Sequence, residues 1–180
     1  NGGGLHNNGS LVTLAQVNLT GNAAQHGAGF YNTGGGALTL SGGTLASNDA
    51  TGDGGAIYNT ASTVSLSQAV VSSNTAAGNG GGIFSAASST LTTLTVANSQ
   101  VSGNSATSGG GIYTSGVQTT LTMTNTTVHD NQATLTGGGL ITHGVASLSG
   151  STISLNTATS GGGIDHIGGS LTLTNDTLSG

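Results

Sequence analysis

Aspartate and histidine are the only residues of this 180-residue chain whose side chains can carry charge near neutral pH, because it has no Glu, Lys, Arg or Cys. Asp49 and Asp53 are close neighbours, whereas Asp130, Asp165 and Asp176 lie far from them along the sequence. Cleavage of a polysaccharide needs two cooperating carboxylates, often with a basic residue that stabilises charge. The spacing offers no convincing pair and the composition offers no basic residue, so we expect no catalytic residues and no enzymatic activity.

The residues for other binding chemistries are also missing. Five histidines occur at unrelated positions, without the i, i+4 spacing of a metal site, and no thiolate is available. We therefore expect no metal and no cofactor. Nucleic acid is excluded as a partner because nothing in the chain neutralises phosphates. No apolar run approaches the roughly 18 residues of a membrane helix, so we expect no membrane insertion by this segment.

A repeat of 24 to 29 residues runs through the whole sequence and must position any site. Its landmark is one apolar residue after a Gly-rich tripeptide. The landmarks are Leu5, Phe30, Ile57, Ile83, Ile112, Leu140 and Ile164. A pair of apolar residues at i and i+2 follows each landmark, and in six repeats an asparagine stands ten residues after the first of them. These asparagines are Asn22, Asn48, Asn74, Asn104, Asn131 and Asn156.

The pattern within each repeat predicts an all-β parallel β-helix, a solenoid of about seven coils with roughly 26 residues and three short strands per coil. The alternation in Leu121-Thr122-Met123-Thr124 is typical of a half-buried strand, and the variable spacing falls in one loop of each repeat. Coils stacked at about 4.8 Å form a rod of about 34 Å. We expect one domain over residues 1–180, a segment of a longer solenoid or a fibre subunit, because neither end carries a polar capping repeat.

The asparagine column is predicted to be structural. Asparagine tolerates the left-handed conformation that a sharp corner demands. Stacked at strand spacing, each amide can also bond to the copies above and below it, which predicts an asparagine ladder.

Hydroxyl side chains form the first candidate binding surface. They occupy two outward columns on the middle strand of the repeat, and a flat, regular array of this kind resembles the Thr-x-Thr faces of ice-binding β-solenoids. Its candidate residues are Thr13, Thr39, Ser65, Thr95, Thr122, Thr124, Ser147, Ser149, Thr172 and Thr174. The alternative is that Thr and Ser are present because they suit a solvated strand.

Aromatic side chains form the second candidate surface. Four consecutive repeats place one directly after the landmark, at Tyr31, Tyr58, Phe84 and Tyr113. Such a column could stack sugar rings and bind a glycan. The alternative, which we favour, is that the rings stack on one another and stabilise the coils.

The motif pair of Gly54-Gly55-Ala56-Ile57 and an apolar-x-x-Asn turn resembles the repeats of chlamydial polymorphic membrane proteins. It is equally similar to the wider group of bacterial right-handed β-helix repeat proteins found in large surface and secreted polypeptides. This resemblance implies a right-handed helix and a passenger or stalk-like adhesive protein.

Together these observations predict a non-enzymatic structural or adhesive element of an extracellular surface protein or fibre. The first alternative is an ice-binding solenoid that uses the hydroxyl columns, and the second is a glycan-binding surface formed by the aromatic column. The expected partners are a second copy joined end to end, a glycan or an ice surface. The Thr-, Ser-, Asn- and Gly-rich composition and the resemblance both favour an extracellular or cell-surface location.

Overall fold

Stacked β-strands form the regular structure of the chain. The computed structural model describes residues 1–87 and 89–180. All regular secondary structure in this part is β-strand, and each strand pairs in parallel with a strand of the coil below or above. None of the described residues forms a helix long and apolar enough to cross a membrane. The seven coils confirm the predicted all-β parallel solenoid.

The first and second sheets hold the landmark and the apolar pair of each coil. Five strands form the landmark sheet: Leu5–Asn8, Phe30–Thr33, Ile57–Thr60, Ile83–Ala86 and Ile112–Ser115. The second sheet contains Leu11–Ala15, Ala37–Ser41, Thr63–Ser67, Thr92–Ala97 and Thr119–Thr124. In coils six and seven the long strands Leu140–Ser149 and Ile164–Thr174 run through both sheets and join them.

The third and fourth sheets complete each coil. The third sheet consists of Leu19–Thr20, Thr44–Ala46, Val70–Ser72, Gln100–Ser102, Thr127–His129, Thr152–Ser154 and Thr177–Ser179. The fourth consists of Ala23–Ala24, Asp49–Ala50, Thr75–Ala76, Ser105–Ser108 and Gln132–Thr136. The first five coils therefore have four short strands rather than the expected three, because the residues that follow each ladder asparagine form a further short strand.

The core is a stack of inward side chains from the first three sheets. The landmark residues pair in register from Leu5 to Ile164, and the apolar pairs and the third-sheet residues do the same. Phe30, Leu66 and Met123 are among the side chains that are fully buried. Burial of each such side chain contributes about 1.5–3 kcal/mol, which explains how a chain with few large residues forms a stable core.

Left-handed residues turn the chain at three corners of each coil. The first corner is the first glycine of each Gly-rich tripeptide, such as Gly54 with φ 69°. The second corner follows the second sheet, and the third immediately precedes each ladder asparagine, as at Ser73 with φ 56°. The expectation that the ladder asparagines themselves adopt this conformation is wrong, because the preceding residue makes the turn and leaves the asparagine side chain facing inward.

In most coils the other two residues of the tripeptide are also glycines, and close packing between coils explains them, although Ala28 and Ala56 show that two coils accommodate an alanine. Gly110, whose φ is not positive, lies so close to the next coil that a Cβ atom would stand 2.5 Å from the carbonyl oxygens of Gln132 and Gly138. Real Cβ atoms do not approach backbone this closely. The first glycine of the tripeptide is therefore explained by its positive φ. Glycines at the other positions are explained by the close approach of the next coil, which leaves little room for a side chain.

Candidate functional site

The asparagine ladder is confirmed and is continuous from Asn22 to Asn156. Each Nδ2 donates to Oδ1 of the next asparagine at 2.9 Å. The same Oδ1 accepts the backbone N–H of the asparagine below, and from Asn48 upward each Nδ2 also donates to a third-sheet carbonyl. All four hydrogen-bonding positions of an internal ladder amide are thus used, which leaves it no capacity for a ligand.

A second buried polar column, which the sequence analysis missed, lies two residues after each of the first six landmarks. Its members are Asn7, Asn32, Asn59, Ser85, Thr114 and Thr142, all buried. Asn32 Nδ2 donates to Asn59 Oδ1 at 3.0 Å, and Asn59 Nδ2 donates to Ser85 Oγ at 3.1 Å. The signal was present as an Asn, Ser or Thr at this position of every one of these repeats.

The hydroxyl face lies on the outside of the second sheet, and its rows are in register. Thr95 pairs with Thr122, and Thr122 pairs with Ser147. A third outward column lies beside the two that were predicted, so coil five presents Thr120, Thr122 and Thr124 side by side. Across all coils this column contains Leu11, Ala37, Thr63, Thr93, Thr120, Val145 and Ser170. The face is a regular array of hydroxyl groups interrupted by apolar side chains.

The aromatic side chains stack on one another along the rod. Ring centroids are 4.9 Å apart between Tyr31 and Tyr58, 5.0 Å between Tyr58 and Phe84, and 5.5 Å between Phe84 and Tyr113, with interplanar angles of 3°, 15° and 14°. Both faces of Tyr58 and Phe84 are therefore covered by neighbouring rings. A sugar ring has no free aromatic face on which to stack at these two positions.

The environment of Tyr58 raises its pKa above the ordinary value of 10.0, chiefly through burial and then through Tyr31 and Asp53. The folded state holds this proton to a higher pH than the unfolded state does. Stability should therefore decrease as pH rises from 10.0 towards the folded pKa, and be unaffected by this group below that range. Unfolding by urea across this alkaline range should show the decrease in the native chain and a smaller one in Tyr58→Phe. An equal decrease in both proteins would contradict this assignment.

The carboxylates of Asp53 and Asp176 accept hydrogen bonds, mainly from backbone N–H groups of neighbouring residues and coils. Asp53 Oδ1 accepts from the backbone N and from Nδ2 of Asn79, at 2.8 and 3.1 Å. Asp176 accepts two backbone N–H groups, from Ser151 at 2.6 Å and from Thr174 at 2.8 Å. Both carboxylates therefore cap backbone groups.

Two histidines contact carboxylates, and the two contacts differ in kind. His26 Nδ1 accepts the backbone N–H of Asp53 at 3.0 Å, so its 3.7 Å contact with Asp53 Oδ2 joins two acceptors and is not a hydrogen bond. His129 Nδ1 lies 2.6 Å from Asp130 Oδ2, and its Nε2 lies 2.6 Å from Nε2 of Gln100. One tautomer of His129 satisfies both contacts, with Nδ1–H donating and Nε2 accepting. Within the described ranges, no three His, Cys, Asp or Glu side chains come together as a metal site requires.

A groove of about 580 Å³ runs along the corner between the second and third sheets in coils three to five. We call it the amide groove. It is lined by Gln68, Ala69, Val70, Asn98, Ser99, Gln100, Asn125 and Thr127. Four of these residues carry side-chain amides, and none carries a charge. The sequence analysis did not identify this surface, because its lining residues come from three coils and from both sides of a corner.

Comparison with protein families identifies the family of the fold. The model described as "Right handed beta helix region" matches residues 3–178. This match agrees with the expected right-handed coil. No curated protein and no solved structure matches the chain.

Proposed function

Because the chain belongs to the right-handed β-helix family, we propose that it is a non-enzymatic structural and adhesive element of an extracellular surface protein or fibre. In this role the chain is a stiff spacer, and its side chains stabilise the rod and catalyse no reaction. The finer resemblance to chlamydial polymorphic membrane proteins is part of the proposal, since it suggests display on a bacterial surface.

The observation that supports this role most directly is the hydrogen bonding between coils. Parallel sheets connect successive coils on several sides, and two columns of buried polar side chains connect them on the inside. Extension of the rod must break these contacts coil by coil. The absence of Lys and Arg also leaves trypsin no cleavage site, which suits a protein exposed to proteases.

Labelling of intact cells tests the location and the fibre form together. An antibody against this chain should label unpermeabilised cells. Electron microscopy of the native material should show rods whose length increases by about 5 Å for each coil. Rods much longer than seven coils would support end-to-end stacking of copies or of further coils. Label that appears only after lysis would contradict the surface role, and isolated particles would contradict the fibre form.

Ice binding is the second candidate, and the three in-register columns of the hydroxyl face favour it. Repeated Thr hydroxyl and methyl groups at strand spacing can hold a layer of ordered water. The hydroxyl face is the side of the second sheet that faces away from the core, so its side chains point outward along most of the rod.

Replacement of Thr122 and Thr124 by Tyr tests this candidate. The native chain should slow and facet growing ice crystals, and the double variant should lose that effect because the bulky rings interrupt the array. Ser102→Tyr, on the outward side of the third sheet, is the matched control and should retain the effect. Ice growth unaffected by the native chain would remove the candidate.

A further inference from the structure

We infer that the amide groove binds an uncharged polysaccharide chain lying along the rod axis. The inference rests on the proposed adhesive function and names a ligand class for it. It places the glycan on a different surface from the aromatic column, where stacking already occupies the ring faces.

The floor of the groove offers a ligand no free side-chain donor. Ala69 and Ser99 are buried there, and Ser99 Oγ accepts the backbone N–H of Ala69 at 3.0 Å while it donates to the Ala97 carbonyl at 2.7 Å. The only polar side chain of the floor is therefore buried and already engaged with the backbone. Any ligand must be held by the walls.

The walls carry amides whose hydrogen-bonding capacity is largely unused. Asn125 Nδ2 donates a long 3.3 Å bond to Asn98 Oδ1, and Gln100 Nε2 contacts His129. In the part of the chain that the structure describes, the Gln68 amide has no hydrogen bond, and Nδ2 of Asn98 and Oδ1 of Asn125 have none either. These groups offer both donors and acceptors, the combination that sugar hydroxyls need.

The groove also selects against charge. No lining residue is ionisable, and the chain has no Lys or Arg to hold a carboxylate or sulfate. The net charge of −5 repels polyanions further. Half-buried Val70 supplies an apolar patch beside the amides, which suits the C–H face of a neutral sugar ring.

The arrangement repeats along the axis, as a polymeric ligand requires. Gln68, Asn98 and Asn125 occupy the same corner position in three successive coils, each with a positive φ of 53°, 50° and 48°. Their backbones therefore lie about 4.8 Å apart in a straight row. Gly42 and Gly150 hold the same position in the coils on either side and add no side chain to the row.

Glycine substitution tests the groove without disturbing the corner, since glycine adopts positive φ freely. The triple variant Q68G/N98G/N125G removes the row of amides. The double variant Q16G/N175G is the matched control, because Gln16 and Asn175 have the same corner position and φ values of 55° and 56° but lie outside the groove. Urea unfolding should show that both variants remain folded.

The probes are cellohexaose, mannohexaose, hexa-N-acetylchitohexaose and the anionic hexagalacturonate, measured by titration calorimetry. We expect at least one neutral hexasaccharide to bind the native chain and the control equally, and to bind the triple variant at least about tenfold more weakly. Binding of none of the neutral probes, equal binding by the triple variant, or preference for hexagalacturonate would overturn the inference.

These outcomes are separable from failure of the proposed function. If the antibody labels intact cells but no neutral hexasaccharide binds, the proposed ligand class is wrong and the proposed surface function still stands. Release of shorter sugars from any probe would instead contradict the non-enzymatic proposal.

Discussion

Asn104→Ala is expected to lower the free energy of unfolding by about 3 to 4 kcal/mol. The Asn104 side chain accepts the backbone N–H and the Nδ2–H of Asn74, both at 2.9 Å, and donates to the Val71 carbonyl and to Asn131 Oδ1. All of these groups are buried, and each buried group left without a partner costs roughly 1–3 kcal/mol. The backbone N–H of Asn74 is left with no partner at all.

Urea unfolding followed by circular dichroism measures this effect. Asn98→Gly is the matched control, since Asn98 is an exposed asparagine in the same coil with a φ of 50° that glycine also adopts. Its unfolding free energy should change by less than about 0.5 kcal/mol. Similar losses in the two variants would show that the ladder contributes no more than a surface amide.

Gly110→Ala is expected to destabilise the protein by about 2 to 3 kcal/mol, because overpacking between coils forces the backbone apart. Its Cβ would meet two carbonyl oxygens of the next coil at 2.5 Å, and neither belongs to a flexible side chain. The spacing between coils four, five and six would then have to increase, and hydrogen bonds such as Gly111 N–H to the Gly138 carbonyl would lengthen.

Gly168→Ala provides the contrast for this prediction. A Cβ at Gly168 meets nothing within 4 Å, and its φ is not positive. Alanine there should be neutral or stabilising by up to about 1 kcal/mol, since it restricts the unfolded chain. The two Gly→Ala variants should therefore shift the urea midpoint in opposite directions or by very different amounts. Equal shifts of the urea midpoint in the two variants would mean that close packing between coils does not explain the glycines of the tripeptide.

Much of the fold could be predicted from residue spacing. The landmark column and the ladder asparagines recur at fixed distances, and each aligned residue pairs in the structure with its counterpart in the next coil. A coil that stacks at one constant spacing must repeat the same side-chain type at the same position, so the pattern is visible without coordinates. The second polar column at Asn32 and Asn59 followed the same rule and could have been found in the same way.

Corner geometry was less accessible to sequence. The left-handed residue of the third corner is Ser73, Asp130 or Leu155 in different coils, and these residue types carry no common signal for positive φ. The asparagine next to them does carry that signal, which is why the prediction was one residue out. Hydrogen bonding to the neighbouring coils determines the asparagine conformation instead.

The sequence by itself determined the solenoid, its period, the columns that face inward and the asparagine ladder, because one-dimensional stacking turns repeat position directly into spatial position. The tertiary structure alone decided which outward surfaces remain available. It showed that the aromatic rings cover one another, that Asp53 and Asp176 cap backbone groups, and that amides from three coils line one groove. These properties depend on side-chain direction and on contacts across corners, and residue spacing along the chain specifies neither.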